Sequence, residues 1–317
     1  MKKVLVTGCC GFIGSNLCKL LLDKEYYVIG LDNLLTGSIN NIKNFEKYSN
    51  FVFINDDICS NLKFNYRIDY IFHFASPASP SDYLKFPIKT LQIGSKGTEN
   101  ILNIALKNNA TILVASTSEV YGDPLEHPQK ETYFGNVNPI GPRGVYDEAK
   151  RYLEALTMAY HNKFKLNTKI VRIFNSYGSN MRVSDGRAIP NFINQALQNK
   201  NFTVYGDGLQ TRSFTYIDDT IDGIYKLMMY KNYPYPVNIG NPKENTIIDL
   251  INEIKSITSS ESKIEYFDLP ENDPKIRKPD ITRAKVLLNW EPKVDLTKGL
   301  IKTIKYFEDL RMNKFSL

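Results

Sequence analysis

The chain has 317 residues, 42% of them hydrophobic, enough for one large domain or two modest ones. Its formal net charge is +6, but the basic residues are scattered rather than drawn into a stripe, so an anionic small ligand is expected and nucleic acid is not. Met1-Lys2-Lys3 runs straight into an apolar strand and no apolar run approaches membrane length, so the reading is a cytoplasmic protein with no membrane partner.

Residues 4–7 read as a short buried strand. Gly8-Cys9-Cys10-Gly11-Phe12-Ile13-Gly14 follows, then an amphipathic helix through Leu17, Leu20 and Leu21, and a second strand that ends at Asp32. Strand, glycine turn, helix, strand and acid together form a dinucleotide-binding unit, in which the turn approaches a pyrophosphate and the helix N-terminus stabilises it. The spacing is Gly-x-x-Gly-x-x-Gly, the form found in short-chain dehydrogenases. Asp32 can accept hydrogen bonds from both ribose hydroxyls and repels a 2′-phosphate, which selects NAD over NADP. The cysteines Cys9, Cys10, Cys18 and Cys59 show no metal-ligand spacing, so reduced thiols and no metal are expected.

A third strand spans residues 51–54, with Asp57 and Ile58 at its end to meet the adenine. A fourth spans 69–74, with Ala75-Ser76-Pro77 as the turn facing the cofactor. His73 on that strand reads as a packed structural residue. A long helix is expected from about 88 to 107, then a fifth strand over 111–115. This alternation predicts an α/β fold, a Rossmann-type doubly wound parallel sheet with its ligand at the carboxyl ends of the strands.

The chemistry concentrates after the fifth strand, in Thr117-Ser118-Glu119-Val120-Tyr121-Gly122-Asp123-Pro124 and in Tyr146-Asp147-Glu148-Ala149-Lys150. The second piece opens a helix after Pro139 and Pro142, and its four-residue step puts Tyr146 and Lys150 on one face. Taken alone, such a pair is an ordinary surface contact. Beside a strand-end hydroxyl it becomes a device for moving a proton. Bringing a phenol from pH ~10 to ~7 needs roughly 4 kcal/mol. A unit charge at about 4 Å in a site of effective dielectric ~20 supplies about that much.

A sixth strand over 169–174 leads to Asn175-Ser176-Tyr177-Gly178, after which Gly, Pro and Asn punctuate shorter elements. Helical stretches are expected around 190–198, 217–230, 246–258 and 297–308. The expected division is an NAD-binding domain of residues 1–175 plus about 216–240, and a smaller substrate domain of 176–215 and 241–317. Arg187, Arg212 and Arg277 stand on loops; if they converge, their guanidinium forks form a clamp for a diphosphate.

The chain resembles the UDP-glucuronate decarboxylases, extended short-chain dehydrogenases/reductases, over essentially its whole length. The marks are Ser76-Pro77-Ala78-Ser79-Pro80, Ala115 to Pro124, Asn138-Pro139-Ile140-Gly141-Pro142-Arg143 before Tyr146, Arg172-Ile173-Phe174-Asn175, Asp185-Gly186-Arg187, Gln210-Thr211-Arg212-Ser213-Phe214 and Arg277-Lys278-Pro279-Asp280-Ile281. The resemblance implies a catalytic set of Thr117, Tyr146 and Lys150, with Ser118 and Glu119 beside the sugar and Arg277 important for turnover. It implies a UDP-sugar held by Pro77, Glu119, Tyr146, Asn175, Arg187, Tyr205, Arg212 and Arg277. The residues expected around NAD are Gly8, Gly11, Phe12, Ile13, Gly14, Asp32, Asn33, Thr36, Gly37, Asp57, Ile58, Phe74, Ala75, Ser76, Ala115, Tyr146 and Lys150. Glu119, Tyr146 or an ordered water is the candidate donor of a proton to the sugar.

The implied reaction is loss of carbon dioxide from UDP-glucuronate with NAD reduced and re-oxidised in each cycle. A 4,6-dehydratase or 4-epimerase of the same fold is the near alternative, and a non-catalytic dinucleotide sensor the distant one. Ser118 stands where dehydratases carry an Asp, which favours decarboxylation. The helix from Tyr146 carries two apolar stripes, one of Ala149, Leu153, Leu156 and Tyr160, the other of Tyr152, Ala155 and Ala159. Together with the resemblance, this points to a homodimer.

Overall fold

Short runs rich in Val, Ile and Leu, buried on both sides, build a central parallel sheet. Its first six strands are β1 (Lys3–Thr7), β2 (Tyr27–Asp32), β3 (Phe51–Asn55), β4 (Tyr70–His73), β5 (Thr111–Thr117) and β6 (Thr168–Ile173), and the strand Pro236–Ile239 joins β6 at the edge. The order across the seven strands is Pro236–Ile239, β6, β5, β4, β1, β2, β3. The computed structural model describes residues 1–62, 64–268 and 276–315.

Side chains alternate across each strand, so Val4, Val6 and Val28 face one apolar cluster while Leu5, Ile29 and Leu31 face another. Helix α1 (Phe12–Asp23) brings Leu17, Cys18 and Leu21 to the first cluster. On the opposite face lie Ile101, Leu102 and Ala105 of a second helix and Leu153 of the helix that carries Tyr146. Both faces are therefore covered. Because β1 pairs with β2 on one side and β4 on the other, the crossovers diverge there and leave a crevice at the strand ends.

After a short helix α2 (Pro80–Lys85), the long helix expected from about 88 to 107 is instead a succession of pieces: α3 (Pro87–Gln92), a π-helical turn (Ile93–Gly97) and α4 (Thr98–Asn108). The turn sits where Gly94 lets another helix come close. A Cβ at Gly94 would stand 2.7 Å from the Ala149 carbonyl oxygen. That neighbouring helix is α5 (Gly144–Phe164). β5 runs two residues beyond the expected 111–115, so Thr117 is its last residue.

Four later helices, Ala188–Ala196, Ile217–Met229, Ile247–Thr258 and Leu296–Phe315, fall near the expected stretches; Thr282–Leu288 was not anticipated. Thr246 and Asp249 form a capping box at the start of Ile247–Thr258. Small ladders position two functional candidates. Thr211–Ser213 pairs with Glu244–Thr246 and carries Arg212, while Phe202–Tyr205 pairs with Ile264–Phe267 and ends at Tyr205. Among the described residues, no helix is long and apolar enough to cross a membrane.

Candidate active site

β1 turns into α1 through a tight cradle. Gly8 adopts φ +73°, and a Cβ there would meet the Ala75 nitrogen at 2.8 Å. A Cβ at Gly14 would fall 2.1 Å from the Gly8 carbonyl oxygen, so only glycine allows α1 to start this close to the turn. No side chain caps α1, which leaves the first N–H groups for an anionic ligand. At the end of β2, Asp32 accepts N–H bonds from Cys10 at 2.9 Å and Leu34 at 2.8 Å. About half of its carboxylate lone pairs stay available. Free amides beside an acid suit a pyrophosphate and a ribose, so these residues fit a dinucleotide.

Asn33, Thr36, Gly37, Asp57, Ile58, Phe74, Ala75, Ser76 and Pro77 line the cavity next to Asp32. Gly8, Gly11, Thr36, Phe74 and Ser76 are shared with a second, larger cleft of about 650 Å³. Phe12, Ile13, Gly14, Ala115, Thr117, Ser118, Glu119, Tyr146, Lys150, Asn175, Arg187, Tyr205, Arg212 and Arg277 all line that cleft. Every residue expected to bind the cofactor or substrate, or to act on it, therefore lines one or other of these two adjoining cavities. His73 lies behind it, fully buried between the hydroxyls of Thr7 at 2.8 Å and Thr98 at 3.1 Å. Burial, helped by the charge of Lys150, pushes its imidazole down to about 3, so it is a neutral packing residue.

Thr117 ends β5, where its Oγ1 accepts from the Glu119 N–H at 3.3 Å, and it lines the cleft together with Tyr146 of α5. The Lys150 Nζ donates to the Ala115 carbonyl at 2.8 Å and lies 5.7 Å from the centre of the Tyr146 ring. Further along α5, Glu154 accepts from Ser116 Oγ at 2.5 Å and from Arg172 Nε at 2.8 Å, which locks this helix to β5 and β6.

The electrostatics correct two expectations. Burial pushes the Tyr146 phenol well above its ordinary value, and the Glu119 carboxylate adds to that; the Thr117 side chain and the Arg187 charge act in the opposite sense. Burial also lowers the Lys150 ammonium to about 8. The amine alone therefore does not make the phenolate accessible, because the same desolvation that strengthens the pair disfavours both charges. Glu119 is the second correction. Burial raises its carboxyl, but Arg277 and Arg143 outweigh this and hold it at about 2. With ion pairs to Arg277 and, at 2.5 Å, to Arg143, it is a carboxylate at neutral pH and has no proton to give.

Arg187, Arg212 and Arg277 all line the cleft. Arg187 is paired with Asp185 at 2.5 Å and Arg277 with Glu119. Sequence reasoning gave no role to Arg143, although it quoted the segment that carries it. It also missed Tyr83 of α2, whose ring stacks on Tyr146 with centroids 5.0 Å apart and planes 7° from parallel. The signal was available in Pro80-Ser81-Asp82-Tyr83, a helix start directly after the cofactor-facing turn.

Asp147 shows burial that the nearby Arg143 and Arg277 charges do not offset. Its Oδ1 has no hydrogen-bond partner, and burial, reinforced by the Glu119 charge, pushes the carboxyl up to about 7. Because the folded protein then binds more protons than the unfolded chain above the ordinary value of 3.8, this group subtracts stability as pH rises through that window to about 7. Asp147→Asn should raise the melting temperature at pH 8 by a few degrees and leave it nearly unchanged at pH 4, as calorimetry at both values will show.

The family model described as GDP-mannose 4,6 dehydratase matches residues 5–303. UDP-glucuronic acid decarboxylase 1 of Danio rerio is 47% identical over 306 residues, which cover 96% of this chain and 72% of that protein. UDP-glucuronic acid decarboxylase 4 of Arabidopsis thaliana is 46% identical over 305 residues, covering 96% and 68% respectively. Among solved structures, the UDP-glucuronic acid 4-epimerase of Bacillus cereus, in complex with UDP-glucuronic acid and NAD, superposes with a TM-score of 0.87 at 31% identity over 97% of this chain and 99% of that one. The UDP-glucose 4-epimerase of Thermotoga maritima, with UDP-glucose, gives 0.89 at 27% identity over 98% and 99%. Likeness on this scale, across nearly the whole chain and on a matching fold, means that the chain belongs to the UDP-glucuronic acid decarboxylase family of extended short-chain dehydrogenases/reductases.

Proposed function

We propose that this chain converts UDP-glucuronate to UDP-xylose and carbon dioxide, with NAD held on the Gly8 to Gly14 turn and by Asp32. NAD bound there would supply an acceptor for the hydride of the sugar C4 and a donor for its return. Tyr146 takes the proton of the 4-hydroxyl, and Thr117 holds the same oxygen in line. Lys150, fixed by the Ala115 carbonyl, supports the charge that Tyr146 gains, and the positive charge of a bound NAD would add to that support. With C4 oxidised, the carboxylate is β to a ketone, and carbon dioxide leaves as its bonding electrons pass into an enolate whose oxygen Thr117 and Tyr146 hold. Because Glu119 is ionised, protonation of C5 falls to Tyr146 or water. Arg187, Arg212 and Arg277 supply the cationic wall for the diphosphate and the carboxylate.

The observation that carries this reading is the placing of Thr117, Tyr146 and Lys150 in one cleft with the Glu119–Arg277 pair. Purified protein incubated with UDP-glucuronate, without added dinucleotide, should release carbon dioxide into the headspace and yield UDP-xylose by mass. Formation of UDP-galacturonate instead would make it an epimerase.

The domain reading follows from the same picture: residues 1–175 with about 216–240 serve the dinucleotide, and 176–215 with 241–317 serve the nucleotide sugar. Pro236–Ile239 pairing with β6 supports the return. Four unpaired cysteines support a cytoplasmic location. A homodimer is supported by an apolar face on α2, α3 and α5, where Leu84 (54% exposed), Ile88 (68%) and Tyr152 (51%) stand in the open. Ile88→Asp should shift the protein from dimer to monomer in analytical ultracentrifugation; an unchanged mass would assign the dimer to another face.

A further inference from the structure

Cys9 and Cys10 lie inside the dinucleotide turn, are completely shielded from solvent, and place their sulfurs 3.8 Å apart. That is far beyond a disulfide of about 2.05 Å. It matches the edge of a tetrahedron around a metal with sulfur bonds of about 2.3 Å, which is about 3.8 Å. Asp32, brought alongside by β2, completes a set in which one ligand atom from each residue lies within 4.8 Å of the others. A carboxylate oxygen in such a tetrahedron sits about 3.5 Å from sulfur, so Asp32 needs to move in by about 1 Å. Adjacent cysteines do not have the spacing of a zinc motif, which is why the sequence alone did not suggest this; the third ligand arrives through strand pairing.

We propose that Cys9, Cys10 and Asp32 form a binding site for a thiophilic divalent cation, of the zinc or cadmium class, on the core side of the dinucleotide turn. Each ion replaces the protons of two thiols, which go to solvent, and no electrons move. Occupancy redirects the Asp32 carboxylate from ribose to metal and draws the Gly8 to Gly11 turn down on its own side chains. The cation and the dinucleotide then exclude one another, a consequence that rests on the NAD reading above, whereas the cation site itself does not.

Dinucleotide-free protein titrated with cadmium chloride should bind one ion per chain with release of two protons and appearance of cadmium–thiolate ultraviolet absorption. Cys9→Ser and Cys10→Ser should each weaken binding at least about tenfold, and Cys59→Ser should not. Unchanged affinity in both of the first two variants overturns the site. If either fails to fold, X-ray absorption on the cadmium-loaded unaltered protein decides: two sulfur neighbours uphold the proposal, and oxygen and nitrogen alone overturn it. Added NAD should weaken cadmium binding in proportion to its concentration. Cadmium held by two sulfurs with an affinity indifferent to NAD keeps the cation site and removes Asp32 from the dinucleotide assignment.

Discussion

Tyr146→Phe should reduce turnover by roughly 10³-fold, equivalent to about 4 kcal/mol of transition-state stabilisation, and should change KM for UDP-glucuronate by no more than about threefold. The substitution removes one oxygen from a ring that Tyr83 stacks on and α5 holds, so the fold around it has no reason to shift. What disappears is the group proposed to accept the 4-hydroxyl proton. Steady-state kinetics with UDP-xylose quantified by mass will measure it. A variant retaining more than a tenth of the activity would show that Thr117 or water takes that proton instead.

Arg277→Gln should lower turnover about 10²- to 10³-fold through loss of a cation from the cleft. It should also leave a second mark. Glu119 is held at about 2 by Arg277 together with Arg143, so its carboxyl should titrate higher once Arg143 stands alone. In the unaltered protein that depressed value adds stability above the ordinary 4.5, and the stability is lost as pH falls toward about 2. The variant should lose stability at higher pH, visible as an acid melting transition displaced toward neutrality. Arg277→Lys should recover part of this displacement but little of the activity, since an ammonium cannot present the paired donors of a guanidinium. An acid transition identical in all three proteins would mean that Arg143 alone controls Glu119.

The strands were legible because buried parallel strands are continuous apolar runs, and the cradle because glycine spacing, helix and Asp32 occur together in order. The broken helix at Ile93–Gly97 was not legible. Nothing local to residues 87–108 says that Ala149, from a segment about fifty residues later, will press on Gly94. The charge state of the site was similarly hidden. Glu119, Arg143 and Arg277 are distant in sequence, and only the fold makes them one ion-pair cluster. The Tyr146–Lys150 step was plain, but its energetics depend on desolvation, which a sequence does not display. Tyr83 was overlooked for the same reason: a stacking partner is recognised by the plane it shares.

The contact between Gly94 and Ala149 has a bearing on design. Ala149 lies between Tyr146 and Lys150 on α5, so the single hydrogen at residue 94 sets how closely that helix can approach the π-helical turn. Any larger group there would push α5 away from the turn and carry Tyr146 and Lys150 with it, like a shim in a joint, without either being altered.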